Sequence, residues 1–202
     1  MFMKPSMFRK GEVLLDAGEV SHVFRLIKTG LVVMRQQGLD GVDRPIGLVG
    51  RGFMTGQMGL YGLPSMIRFE ASGSVGVCEV EHVALRRLGV LDEQGARAVV
   101  AFHVKATKAL VAWSQLMRER SLHRRLAMAL VLMAKDHGGA RISLPGQRLL
   151  AELLAVTRES VGRALDDLCA WRLVDRVDRS VVVVDQVAMS KWFSSKEAPT
   201  CL

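Results

Sequence analysis

Apolar positions along the chain change their spacing twice. From Phe8 to about Val80 they fall in short β-branched runs, "EVLLDAGE", "VFRLIKTGLVVMRQQG", "RPIGLVGRGF" and "FEASGSVGVCEV", cut by glycine, aspartate and proline. Short apolar runs between turn formers predict antiparallel strands of a small barrel or roll, with Gly11, Gly18, Gly30, Gly52 and Gly56 at its corners. A brief helix over 81–88 leads out of it.

From about Asp92 the spacing becomes helical. Val99, Phe102, Ala106, Ala109, Trp113 and Leu116 alternate three and four apart, and the helix they predict runs to about Arg118. Such a stripe fits either a helix lying on its own barrel or the seam of a coiled coil. The spacing close to 3.5 and the small alanines at its middle favour a dimer seam, so these six residues are expected to meet a second copy. The expected organisation is a barrel over 1–90, a dimerisation helix over 91–120 and a third region over 121–202.

That third region follows a basic knot, "RERSLHRR", and reads as short helices. Leu126, Ala129, Leu130 and Met133 mark the inner face of the first, which ends at "HGGA". A strand, "RISL", precedes Pro145, which suits the first position of a helix carrying Leu149, Leu150, Leu153 and Leu154 inward. Only "AV" separates Leu154 from Thr157, so this helix must turn sharply into the next. That is helix-turn-helix spacing.

The stretch "TRESVGRALDDL", Thr157 to Leu168, divides cleanly between two faces. Val161, Ala164, Leu165 and Leu168 form an apolar stripe, leaving Arg158, Glu159, Gly162 and Arg163 outside. Thr157 caps the start, and Ser160 denies it the glutamate of a full capping box. In helix-turn-helix docking the N-terminal part of the second helix meets base edges in the major groove. There arginine donates to guanine and a carboxylate accepts from cytosine. Glu159 and Arg163 also have the order of an ordinary intrahelical ion pair, worth only ~0.3 kcal/mol, so their place after a tight turn carries the argument. "LVDRVDRSVVVVD" then predicts a hairpin wing, Leu173–Val177 with Val181–Val184. Thr157, Ser160, Arg176 and Arg179 are the candidate phosphate contacts, although the arginines could equally serve solubility.

Composition sharpens this picture. The chain has 202 residues, 50% of them hydrophobic, enough for a real core, and a net charge of +8 that suits an acidic partner such as nucleic acid. Cys78, Cys169 and Cys201 are odd in number and scattered, which points to a reducing cytosol and away from a disulfide framework. The start, "MFMKPSMFRKGE", has no apolar signal core, and no apolar run is long enough for a bilayer; a cytoplasmic protein is expected. There is no Gly-rich phosphate loop, no HExxH, no GxSxG and no paired carboxylates in a plausible cleft, so no residues present themselves for catalysis and no metal site is predicted.

With these motifs in view, nearly the whole chain resembles the family of the cyclic-AMP receptor protein and the fumarate-nitrate regulator (CRP/FNR). "FRKGEVLLDAGE", "VFRLIKTGLVVM" and "GLVGRGFMTGQMGLYG" resemble its barrel strands and effector pocket, and "TRESVGRALDDL" its recognition helix. The resemblance implies an α+β fold: a cyclic-nucleotide-binding-type β-roll, a long dimerisation helix and a winged helix-turn-helix. It implies a homodimeric transcription regulator whose Arg158, Glu159 and Arg163 read a TGTGA-like inverted repeat in double-stranded DNA, and it admits RNA polymerase as a further partner.

The chain departs from the family in places. Ala155 stands where the family usually has glycine in the turn, and Arg172 where many members have glycine before the wing. Cyclic-nucleotide binders pair glycine with glutamate and follow about ten residues later with arginine and a hydroxyl residue. Here those positions are Gly56, Gln57, Arg68 and Phe69, and Leu110 and Val111 stand where the long helix would offer hydroxyls to a purine. Cyclic AMP is therefore not the expected effector. No four cysteines are spaced for an iron–sulfur centre, and the lone candidates for a haem ligand, His22, His82, His103 and Met58, are weak. Cys78 reads as a buried structural cysteine before a redox switch. An apolar ligand, or none, fits better, and no cofactor is assigned. A haem or redox-sensing relative, or a ligand-binding module acting on a protein partner, remains as an alternative.

Overall fold

The structure is a computed structural model that describes residues 3–89, 92–178 and 180–194. Its chain divides after Ala112 into two compact units. The alternating runs of the first unit become strands β1 (Lys4–Phe8), β2 (Val13–Leu15), β3 (Val23–Thr29), β4 (Val32–Gln37), β5 (Asp43–Val49), β6 (Met54–Thr55), β7 (Arg68–Ala71) and β8 (Val75–Glu81). A 3-10 turn, Gln57–Tyr61, sits between β6 and β7, and α1 (His82–Arg87) and α2 (Glu93–Leu116) follow.

All strand pairs are antiparallel and form two four-stranded sheets, ordered β1-β8-β3-β6 and β2-β7-β4-β5. Ile27 opposite Val77 holds the register of the first, and Met34 opposite Phe69 that of the second. Their inward residues, among them Ile27, Val32, Met34, Val49, Phe69 and Val77, bury one core. Because side chains alternate along a strand, Phe69 and Ala71 of β7 point into that core while Arg68 and Glu70 stay partly exposed. Gly30 turns β3 into β4 at φ 83°, and a Cβ there would collide with the carbonyl of Ser74.

Helix α2 packs in part on its own barrel. Ala106, Ala109 and Leu110 pack on the barrel's own core, Val99 is buried, and Phe102 walls a cavity with Phe24 and Met54. Trp113 and Leu116, at the end of the helix, are 3% and 0% exposed within the single chain. Of the stripe expected to face a second copy, Val99, Trp113 and Leu116 are buried within the single chain, while Phe102, Ala106 and Ala109 are only partly buried. Apolar periodicity reports that a face is buried and is silent on what buries it. The large apolar side chains that α2 leaves in solvent are Val100, Val104 and Val111, all at least 46% exposed.

The second unit contains α3 (Leu122–His137), β9 (Arg141–Ser143), α4 (Gln147–Leu154), α5 (Arg158–Ala170), β10 (Val174–Arg176), β11 (Val181–Val184) and α6 (Gln186–Ser194). Ser121 caps α3 by accepting from the Arg124 amide, and Gly138 ends it in the left-handed conformation. Leu126, Leu130 and Met133 of α3, Leu150 and Leu154 of α4, and Leu165 and Leu168 of α5 are almost fully buried. Helix α4 begins two residues after Pro145, because Gly146 occupies the cap at φ 95°. A three-stranded sheet, β10-β11-β9, completes the unit. Among the described residues no helix is long and apolar enough to cross a membrane.

Candidate functional site

Two places in the molecule gather the residues singled out by sequence: the outer face of α5 in the second unit and a cavity in the first.

Helix α5 is placed by a turn of three residues. Ala155 ends α4 at φ 52°, ψ 50°, a left-handed conformation that costs an L-residue roughly 1–2 kcal/mol. Arg172 is also left-handed, at φ 56°. These are the only non-glycine residues with positive φ among the described residues. Arg125 of α3 helps to hold the turn, donating from Nη1 to the carbonyl of Leu154 at 3.1 Å. His123 of α3 meets Asp167 of α5 at 2.8 Å and lies against the Trp171 ring. The sequence shows 123–125 only as part of a basic knot. Their positioning role becomes visible once α3 is laid beside α4 and α5, and no local signal announces it.

Thr157 caps α5, its Oγ1 accepting from the Ser160 amide at 3.2 Å and lying 3.0 Å from the Ser160 hydroxyl. Val161, Ala164, Leu165 and Leu168 are buried, while Arg158, Glu159 and Arg163 are exposed. The intrahelical pair open to Glu159 and Arg163 is not formed, and among the described residues none of the three side chains makes a hydrogen bond or ion pair. Three hydrogen-bonding side chains thus stand free on the first two turns of one helix.

The wing forms with Val174 opposite Val184 and Arg176 opposite Val182. Asp178 organises its turn, accepting at Oδ1 from the amides of Ser180 and Val181 and from the Ser180 hydroxyl. These bonds, that from the Ser180 amide foremost, hold its carboxyl below the usual aspartate range. Arg176 reaches Asp166 of α5 at 3.1 Å, so its charge is partly committed within the fold. Arg179 lies outside the described residues, as does Cys201.

The cavity, about 300 Å³, opens between the barrel strands and α2 inside the first unit. Leu15, Met34, Phe53, Phe69 and Leu110 line it, together with Gly56, Gln57, Met58 and His103. Gly56 adopts φ 89°, and a Cβ there would strike the Val23 carbonyl. Of the residues expected in an effector pocket, Gly56, Gln57, Phe69 and Leu110 are present in the wall. Arg68 and Val111 are not. Strand alternation turns Arg68 outward, toward Asp16 at 3.6 Å and Glu70 at 3.7 Å, and Val111 is on the solvent face of α2, 49% exposed. Elsewhere His82 is buried beside Phe24, and burial, then His22 and Arg86, push its pKa down.

The Crp-like helix-turn-helix domain matches residues 124–192, so the second unit is a domain of that kind. No curated protein matches the chain in sequence. Among solved structures, FixK2 from Bradyrhizobium japonicum is similar at TM-score 0.78 and 21% identity, over 98% of this chain and all of that one. A CRP-family transcriptional regulator from Thermus thermophilus is similar at TM-score 0.71 and 22% identity, over 98% of this chain and 100% of its own. The c-di-GMP-responsive global regulator CLP from Xanthomonas campestris reaches TM-score 0.62 at 18% identity, over 92% of this chain and 95% of its own. The whole chain therefore has the α+β fold of the CRP/FNR regulators.

Gly162 offers a test of what α5 faces. A Cβ there would meet only the Gln147 side chain, at an ordinary 3.8 Å, so nothing inside the unit demands glycine. Mid-helix glycine costs about 1 kcal/mol against alanine. Gly162→Ala should therefore raise stability by about that much in urea denaturation followed by tryptophan fluorescence, since Trp113, Trp171 and Trp192 all lie in the second unit. If Gly162 is there for close approach to DNA, the same variant should bind DNA about tenfold more weakly. A variant that is both more stable and equally tight would remove that role.

Proposed function

We propose that the chain is a homodimeric, sequence-specific DNA-binding transcription regulator of the CRP/FNR type that works without cyclic AMP. It acts by binding, with no catalytic step. The observation that carries the reading is the free trio Arg158, Glu159 and Arg163 on the exposed N-terminal turns of α5, in a unit that matches the Crp-like helix-turn-helix domain. Guanidinium groups with no internal partner retain both N–H edges for guanine O6 and N7, and Glu159 retains its oxygens for a cytosine amino group. Thr157 and Ser160, at the helix start, suit phosphate oxygens, with Arg176 sharing its charge between Asp166 and the backbone.

The preferred site is a TGTGA-like sequence and its inverted partner, centred about one helical turn apart as two-fold docking requires. Selection of bound sequences from random DNA, with no small molecule added, should return that repeat. Arg163→Ala should cost about 1–3 kcal/mol and relax preference at one guanine. Loss spread evenly over all sequences would show that Arg163 touches only phosphates.

The seam of the dimer follows from the exposure of α2. Val100, Val104, Thr107 and Val111 run along its solvent face at spacings of four, three and four, and all four are exposed. These exposed residues, beside the partly covered stripe, are the proposed contact with a second copy. Val104→Glu together with Val111→Glu puts like charges into an apolar seam and should weaken dimerisation on the order of 100-fold, read by sedimentation. Circular dichroism should stay unchanged, because neither side chain belongs to the core. A wild-type chain that sediments as a monomer at micromolar concentration would sink this assignment.

The cavity supports independence from cyclic AMP. Its wall has no arginine or lysine to meet a cyclic phosphate, and Phe69 stands where a hydroxyl is needed. A buried phosphate without a cation is strongly disfavoured.

A further inference from the structure

The cavity of the first unit combines two energetic losses in one place. Its wall is mostly apolar, with Phe53 and Phe69 5.9 Å apart in a tilted pair and Met34 and Leu110 beside them. A space of about 300 Å³ inside such a wall forfeits the dispersion contacts that a filled core would make. Gln57 is only 8% exposed, and its Oε1 has no hydrogen-bond partner. One molecule would relieve both losses if it supplied apolar atoms to the wall and a single hydrogen-bond donor to Gln57.

We propose that this cavity binds a neutral aromatic ligand of about two fused rings carrying one O–H or N–H, with Gln57 reading that donor. Size sets the ring count: a dry apolar cavity of about 150 Å³ accommodates benzene, and this one is twice as large. Charge sets neutrality. The wall contains no lysine or arginine, Arg68 is held outside by Asp16 and Glu70, and its one carboxylate residue is the exposed Glu19. An anion would enter without a lysine or arginine to meet it, and a cation without a desolvated carboxylate. Leu63 and Met66 also line the cavity while 48% and 75% exposed, so a bound apolar molecule gives them a surface to close on.

The opposite wall is α2, through Ala106, Thr107 and Leu110. Thr107 therefore stands both in the cavity and on the stripe assigned above to the dimer seam. A ligand that packs differently against two positions of α2 would bias dimer geometry, and only through such a difference could it alter DNA affinity. That regulatory consequence rests on the DNA-binding reading above, whereas binding of the ligand does not.

The test uses the full-length protein and four probes: 2-naphthol, naphthalene, 2-naphthoate and cyclic AMP, the first three followed by ligand fluorescence and the last by calorimetry. 2-Naphthol should bind saturably in the micromolar range, about tenfold tighter than naphthalene, with 2-naphthoate and cyclic AMP weaker than either. Gln57→Met, close in volume, should keep naphthalene and lose the tenfold preference. Ala106→Trp should fill the space and abolish binding of both. Absence of saturable 2-naphthol binding by the wild type overturns the proposal, and this result does not depend on any variant folding. So does a preference unchanged in Gln57→Met, or binding retained in Ala106→Trp. Retained binding would place the probe in the second apolar cavity, about 280 Å³, beside Phe24 and Cys78. DNA affinity by fluorescence anisotropy, with and without 2-naphthol, separates the two claims. Ligand binding without DNA binding leaves this site standing and removes the regulator.

Discussion

Ala155 sits between two helices whose inner faces share one core, and the angle it sets decides which side of α5 meets solvent. Leu150, Leu153 and Leu154 of α4 and Val161, Leu165 and Leu168 of α5 must reach the same interior within a few residues of chain. An extended linker would carry α5 away from α4. A left-handed residue reverses the chain at once, and here alanine accepts that conformation at a cost glycine would not incur. The bond from Arg125 to the Leu154 carbonyl and the Thr157 cap are made on either side of it. Once the turn is set, burial of one stripe leaves Arg158, Glu159 and Arg163 outside without further help.

The same logic of alternation governs the first unit on a shorter period. In β7, neighbours Arg68 and Phe69 must face opposite sides of the sheet, so only one of them can reach the cavity. Phe69 takes the inner place and Arg68 is paired with acidic neighbours. One residue of register thus exchanges a cationic pocket for an apolar one. The protein keeps the barrel while changing what the barrel can hold.

Much of this is legible in the sequence. Glycine-punctuated β-branched runs predict the barrel, and Gly11, Gly18, Gly30, Gly52 and Gly56 all take positive φ at its turns. The helix-turn-helix, its apolar stripe and the wing register follow from local spacing, and Ala155 and Arg172 stand out as misfits where the backbone proves left-handed. What escapes depends on contacts distant in sequence. The stripe of α2 is in part covered by its own barrel, because small alanines permit close approach to a barrel as readily as to another helix. The outward turn of Arg68 requires the register of β7, and the clamps from His123 and Arg125 require the packing of α3.

The central claim is that the solvent face of α5 reads bases in a two-fold site. Methylation of guanine N7 blocks the major-groove acceptor that arginine uses, so interference footprinting on bound DNA tests that claim most directly. The account predicts strong interference at guanines in two clusters, symmetric about a centre and about one helical turn apart, with one guanine per half-site losing its effect in Arg163→Ala. Binding that is indifferent to guanine methylation, or interference in a single unpaired cluster, would contradict it.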